Sequence, residues 1–505
     1  MAVLLTLAPI FGDGAVLCRR KEVRLFGDAE SGRTVTARVL SATNDVLSEG
    51  TCTAADNRFL LLLPPMEKAL GCTLILSDGM TTLQSTNISV GDVYFASGQS
   101  NMELELQNAD EGQALIPVHD EPLVHYFNVP KRGIWNDEAI AAEKASHWER
   151  VRPGMARDMS AVAYFFACKL AHEIDCPVGI IDCYCGATSV TCWIDRETLE
   201  QTAEGQKYIE RHRKLGGDKP LEQWQREEDA FQQEMAAWND HVARVKEANP
   251  DISWNDLTAQ VGDCPWHPPV GPGSMYRPCG LVETMTKRVA PTTLTGILYY
   301  QGEDDAPKTT QYDLLLMTMV KRLRELFRDD SLPFLNMQLP MWHASEDENN
   351  RDWPRIRLQQ QKVSDTLRAA GLAVLIDCGE RNNIHPTNKR TPGERLCDAA
   401  LRVVYGLNAP ENPRALRKFT KENVLTVQLS QPVVCHAEEA SLLEIAGEDG
   451  VYVPAESIEI NGCELKLSSP KVAHPMCVRY AYVNWGKVTL FGQNGLPLAP
   501  FLMAY

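Results

Sequence analysis

The sequence predicts an α/β protein with a mainly parallel central sheet, flanked at both ends by β-rich segments. Three observations carry that expectation. Short apolar runs in the middle of the chain alternate with polar turns and helix-like stretches. Residues 1–92, and the residues from about 408 onward, instead show strand-sized segments punctuated by turn residues. The length of 505 residues exceeds what one hydrophobic core ordinarily spans, so two or three domains are expected.

The first segment contains Glu22-Val23-Arg24-Leu25-Phe26 and the run Arg33 to Val39, separated by Gly27-Asp28 and Ser31-Gly32. Strands at that spacing predict a β-sandwich over residues 1–92. From residue 93 the rhythm changes. Val93-Tyr94-Phe95-Ala96-Ser97 is short and apolar, as a strand buried on both faces requires. Further strands are expected at 178–181, 295–300, 333–337 and 372–376, with helices over Ala161–Ile174 and Tyr312–Phe327. This α/β domain extends to residue 407.

A helical insert interrupts it at about 196–270. There Leu221, Trp224, Phe231, Met235, Trp238, Val242 and Val245 recur at helical spacing. The stripe is expected to pack onto the domain, with a lid or a dimer contact as the alternative. Residues 408–505 return to β character, as in Val424 to Leu429 and Cys477 to Tyr482.

Charge and composition exclude several function classes. A formal net charge of −17 argues against nucleic acid, because phosphate binding needs clustered Lys and Arg. No apolar run reaches the roughly 18 to 20 residues of a membrane-spanning helix, so no membrane association is expected. The first residues lack a basic segment ahead of their apolar stretch, so a cytoplasmic protein is expected, or a secreted one if the chain is a mature form. The 15 cysteines are odd in number and irregular in spacing, which fits reduced thiols. Cys183-Tyr184-Cys185 has no second pair to complete a zinc pattern, so neither metal nor cofactor is expected.

The chemistry concentrates in turns that follow the predicted strands. Gly98-Gln99-Ser100-Asn101-Met102 directly follows the first one, where open parallel sheets bind ligands. A serine there faces a cleft, and a following helix offers backbone N–H groups to an oxyanion. Alone, the motif is equally well read as a helix N-cap. It is not alone. His385, in Asn382-Asn383-Ile384-His385-Pro386, follows a later apolar run and can supply the base that a serine nucleophile needs. Gln301-Gly302-Glu303-Asp304-Asp305 and Cys185-Gly186-Ala187-Thr188 end two further strands. Four polar turns on one edge of a sheet make a site.

These blocks resemble the sialate O-acetylesterase family of SGNH-type carbohydrate esterases. The resemblance spans most of the chain, through residues 90–102, 177–188, 296–303 and 384–389, with weaker matches at 11–17 and 495–501. It implies a flavodoxin-like, three-layer SGNH domain and a serine esterase that removes O-acetyl groups from sugars, sialic acids foremost. Deacetylation of neutral glycans such as xylan or mannan is the alternative, and a non-catalytic sugar-binding protein a further one. Carried over residue by residue, Ser100 is the nucleophile, His385 the base and Gly186 an oxyanion donor, with Gln301, Gln99 and Asn101 in oxyanion or substrate contact.

The sequence departs from the family where the triad acid stands, with Asn382 and Asn383 in place of aspartate. Glu303 is the expected orienting acid. Asp377 and Glu380 are alternatives, and a Ser–His dyad held by a backbone carbonyl is a third. Arg277, Arg357 and Arg381 are candidate partners for a sialate carboxylate. The expected partner is therefore an O-acetylated sugar or oligosaccharide, with the oligomeric state open.

Overall fold

The computed structural model describes residues 3–249, 252, 254–343 and 350–504. Six strands come first: β1 (Val16–Cys18), β2 (Val23–Asp28), β3 (Thr34–Leu40), β4 (Val46–Thr53), β5 (Arg58–Leu63) and β6 (Ala69–Ser77). Strand β3 shows why they form: Val35, Ala37 and Val39 are buried while Thr34, Thr36 and Arg38 face out. That two-residue period gives a strand one apolar face.

The next strand, β7 (Thr82–Gly98), is 17 residues long and crosses the expected 92/93 boundary without a break. Its first part pairs with β6 and β1. From Asp92 onward it pairs in parallel with later strands, and every residue from Ile88 to Gly98 is buried. One strand thus belongs to both layers, and a single apolar core runs through them.

Around β7 lie β8 (Glu121–Asn128), β9 (Trp148–Val151), β10 (Val178–Tyr184), β11 (Gly296–Tyr300), β12 (Phe334–Met337) and β13 (Ala370–Ala373). They run in the order β13-β12-β11-β7-β10-β8-β9. All neighbours are parallel except β8 and β9, so the central sheet is mixed. The edge pair β8–β9 goes unmarked by the apolar runs, since Pro122 and His125 interrupt β8.

The helix Ala161–Ile174 is capped by the Ser160 hydroxyl, which accepts from the Ala163 N–H. It packs on β8, β10 and the helix Arg390–Val403, which explains apolar residues over most of its surface. A second helix pair, Tyr312–Leu326 and Asp352–Thr366, packs together near β12 and β13.

The insert comprises the helices Arg196–Glu200, Ala203–Lys214, Leu221–Ala248 and Trp254–Val261. Its stripe does not sink into the α/β core as expected. Only Trp224 is buried, against Gly271 and Gly273, while the long helix packs mainly on Trp254–Val261 of the same insert. Beyond residue 408 the chain forms three small antiparallel sheets with their own core, into which Met341, Val374 and Ile376 also project. All fifteen cysteines are free thiols.

Candidate active site

Parallel strands aim their carboxyl ends at one edge of the sheet, and the turns there collect the polar residues. Strand β7 delivers Ser100, β8 leads to Lys131, β10 to Gly186, β11 to Glu303, β12 to Trp342 and β13 to the loop carrying His385. All of these residues line one cavity of about 1030 Å³.

The serine turn is fixed by backbone. Gly98 has φ +141°, and a Cβ there would lie 2.1 Å from the Tyr300 carbonyl oxygen, so glycine is needed for β7 and β11 to meet. The Gln99 N–H donates to that same carbonyl at 3.0 Å. Ser100 then opens the short helix Ser100–Glu103, leaving its N–H among the first-turn donors without an intrahelical partner. Its Oγ lies 2.7 Å from His385 Nε2.

The histidine loop is held by side chains. The His385 N–H donates to Asn383 Oδ1 at 3.0 Å, and Asn383 Nδ2 donates back to the His385 carbonyl at 2.9 Å. Glu380 accepts from Asn383 Nδ2 and from the Thr387 N–H, both at 3.0 Å. Burial and the nearby Lys389 charge hold the imidazole below its ordinary pKa, opposed by Glu103.

No carboxylate among the described residues hydrogen-bonds to the His385 ring. Glu303, the expected acid, instead accepts from Asn101 Nδ2 at 2.6 Å, and its other oxygen is buried without a partner. Burial raises its pKa. Asp377 is engaged by both terminal contacts of Arg395, at 2.6 and 2.7 Å. Glu380 braces the loop rather than the imidazole. The aspartate usual two residues before the histidine is replaced by Asn383, whose amide can both donate and accept, and it grips the backbone instead.

Three other expectations also change. Gln301 is wholly buried and donates to Gln99, the Thr188 carbonyl and Asp305, so it braces the turn and does not reach the cavity. Asn101 lies beneath the serine, where its amide joins Glu303, Lys389 and the Ile384 carbonyl. Gln99 does line the cavity, while its Oε1 accepts from the Gln301 amide and the Gly302 and Asp304 N–H groups. Gly186 lies close to Ser100 as expected, but its N–H donates to the Glu103 carboxylate, which also pairs with Lys131.

The arginines are elsewhere too. Arg277 donates to the Gly133 and Ser274 carbonyls, Arg357 is buried and bonded to the Ala481 and Val483 carbonyls, and Arg381 is exposed outside the cavity. The cations on the cavity wall are Lys131, paired with Glu103, and Lys308, paired with Asp304 at 2.5 Å. Aromatic walls complete it. Trp342 and Trp353 have ring centroids 4.9 Å apart, and Trp266 and Tyr276 are 5.8 Å apart.

Glu103 was within reach of the sequence, being three residues after Ser100 and on the same helical face. Lys131 was not, because the strand before it carries no clear apolar pattern. Asp305 is buried, accepts from Tyr208 of the insert and from the Val190 N–H, and thus anchors the insert to the site. Burial, with the neighbouring Asp304 charge, raises its pKa.

Residues 259–402, which include His385 and Glu303 but not Ser100, match the family described as carbohydrate esterase, sialic acid-specific acetylesterase. The chain is 21% identical to the sialate O-acetylesterase of Mus musculus, across 91% of this chain and 86% of the relative. It is 19% identical to that of Homo sapiens, across 95% of this chain and 88% of the relative. A carbohydrate acetylesterase from Xanthomonas citri shares its fold, with a TM-score of 0.75, 24% identity and 99% coverage of both chains. With a serine and a histidine in contact on the cavity wall, the chain carries a match to the carbohydrate esterase family over residues 259–402 and resembles sialate O-acetylesterases along most of its length.

Proposed function

We propose that this esterase removes O-acetyl groups from sugars, O-acetylated sialic acids foremost, through Ser100 and His385 acting as a dyad. The observation that carries the reading is the 2.7 Å contact from Ser100 Oγ to His385 Nε2 on the wall of a cavity large enough for a sugar. His385 takes the Ser100 proton as Oγ attacks the acetyl carbonyl, and the C–O bond to the sugar breaks as His385 returns that proton to the leaving oxygen. Water, deprotonated by His385, then releases acetate from the acyl-serine. The N–H groups of Ser100 and Gly186 receive the oxyanion. Because the Glu103 carboxylate accepts from the Gly186 N–H, the acetyl oxygen enters by displacing that carboxylate. The grip of Asn383 on the His385 backbone takes over the orienting task of a triad acid.

The likeness to sialate O-acetylesterases supports the sialic acid substrate. A second reading, neutral acetylated glycans, is favoured by the two lysines of the cavity, each already paired with a carboxylate, and by the tryptophan walls. We read the α/β part as a flavodoxin-like SGNH domain with accessory β segments, on the strand order and the serine placed at the end of β7.

Acetate release from O-acetylated sialic acid and from acetylated xylo-oligosaccharide, measured side by side, separates the two substrates. Ser100→Ala is expected to lose at least about 1000-fold in kcat on either one. Wild-type protein that binds acetylated sugar and returns it intact overturns the esterase mechanism.

A further inference from the structure

A buried cation lies directly behind the reacting pair. Lys389 is 1% exposed, and its Nζ donates to Asn101 Oδ1 at 2.7 Å and lies 5.6 Å from the Tyr300 ring centroid. The same Asn101 amide donates to Glu303 Oε1 at 2.6 Å and to the Ile384 carbonyl at 3.0 Å. One side chain therefore ties three segments together: the nucleophile helix, the turn after β11 and the histidine loop. Burying an ammonium costs free energy unless it is well compensated, and here the nearest buried carboxylate, Glu303, is reached only through Asn101.

We propose that Lys389 is a positioning residue for the esterase reaction, setting the Ser100–His385 geometry through Asn101 and presenting a positive charge to the imidazole. The inference rests on the dyad described above. Asn101 follows the nucleophile directly and Ile384 precedes the base, so the Lys389–Asn101 bond fixes the two reacting groups against each other. A one-ångström misplacement of such groups is enough to cost about 100-fold in rate.

The charge has a separate effect. Charged groups that line the cavity with the imidazole are Glu103 on the nucleophile helix, Lys131 after β8, Glu303, Asp304 and Lys308 after β11, and Asp352, while Glu380 and Lys389 stand on its own loop. Of these, Lys389 disfavours the imidazolium and Glu103 favours it, with burial acting in the same direction as Lys389. Lys389 is itself drawn down to about 7 by burial. With Lys389 in place, His385 stays a free base at lower pH than an ordinary imidazole, whose pKa is about 6.5.

The test is the pH dependence of kcat and kcat/KM for Lys389→Met, Lys389→Arg and wild type on one acetylated sugar. Lys389→Met is expected to lose about 10-fold or more in kcat with KM within about 2-fold, and to move the acid limb of kcat/KM to higher pH. Lys389→Arg, which keeps charge and donor, is expected to restore the acid limb. If Lys389→Met fails to fold, Lys389→Gln replaces it: the amide keeps a donor for Asn101 Oδ1 but removes the charge, and again moves the limb upward. An acid limb that stays in place in these variants overturns the proposal, because a packing role alone leaves it unmoved. Failure of the dyad itself reads differently, as wild-type protein without esterase activity.

Discussion

The serine turn and the histidine loop bring the two reacting groups together by different means. The serine is held by a strand end: Gly98 lets β7 approach β11, the Gln99 N–H closes on the Tyr300 carbonyl, and Gln99 and Gln301 are buried below. The histidine lies in a long loop after β13 whose one ladder contact is an isolated bridge between Glu380 and Asn383. Side-chain amides and carboxylates set the loop immediately around His385, with backbone bonds from the His343 N–H to Arg381 and from the Asp110 N–H to Thr387 at its flanks, and Asn382 and Arg381 in it are exposed. Backbone pairing is insensitive to side-chain identity, whereas a side-chain clasp is lost with one substitution. The nucleophile is thus built into the fold, while the base is attached to it.

Asn383→Ala breaks this comparison most directly. It removes both hydrogen bonds to the His385 backbone, so a loss of about 10- to 100-fold in kcat is expected from misplacing the base. Thermal unfolding is expected to change little, because the loop is half exposed; calorimetry beside kinetics checks both. A large fall in Tm with unchanged kcat would show that the loop is structural instead.

On the serine side the expectation is reversed. Gln301→Ala removes one buried donor each from Asp305, Gln99 and the Thr188 carbonyl and leaves a void beneath the turn, which costs about 2 kcal/mol or more of stability by denaturant titration. Activity per folded molecule is expected to fall less than in Asn383→Ala.

Glu103→Gln is the smallest of the three and changes activity upward. A neutral amide is a weaker acceptor than a carboxylate for the Gly186 N–H, so the acetyl oxygen displaces it more easily. A rise of about 3- to 10-fold in kcat/KM is expected for a small neutral acetyl ester. Since Glu103 favours the imidazolium, its removal also moves the acid limb to lower pH. A fall in kcat/KM would instead show that the support Glu103 gives the imidazolium outweighs the cost of displacing its carboxylate from the Gly186 N–H.

The strands and helices of the α/β layer were legible because burial on both faces demands unbroken apolar runs, and Val93 to Ser97, Val178 to Ile181 and the helix Ala161–Ile174 carry them. Ser100, His385 and Gly186 were legible as well, since parallel strands deliver the residues after their carboxyl ends to one edge. The edge strand β9 and the start of β8, where Pro122 precedes the pairing with β10, were not, because unpaired edges tolerate proline and polar residues that interior strands exclude.

The sequence by itself determined which residue types stand at the sheet edge, for the local apolar runs place the strands and the polar turns follow their carboxyl ends. Only the tertiary structure decided which of them touch. It gave Glu303 to Asn101, Asp377 to Arg395, the Gly186 N–H to Glu103 and the arginines to backbone carbonyls. Those pairings join residues far apart in the chain over about three ångströms, a scale on which spacing in sequence carries no information and packing carries all of it.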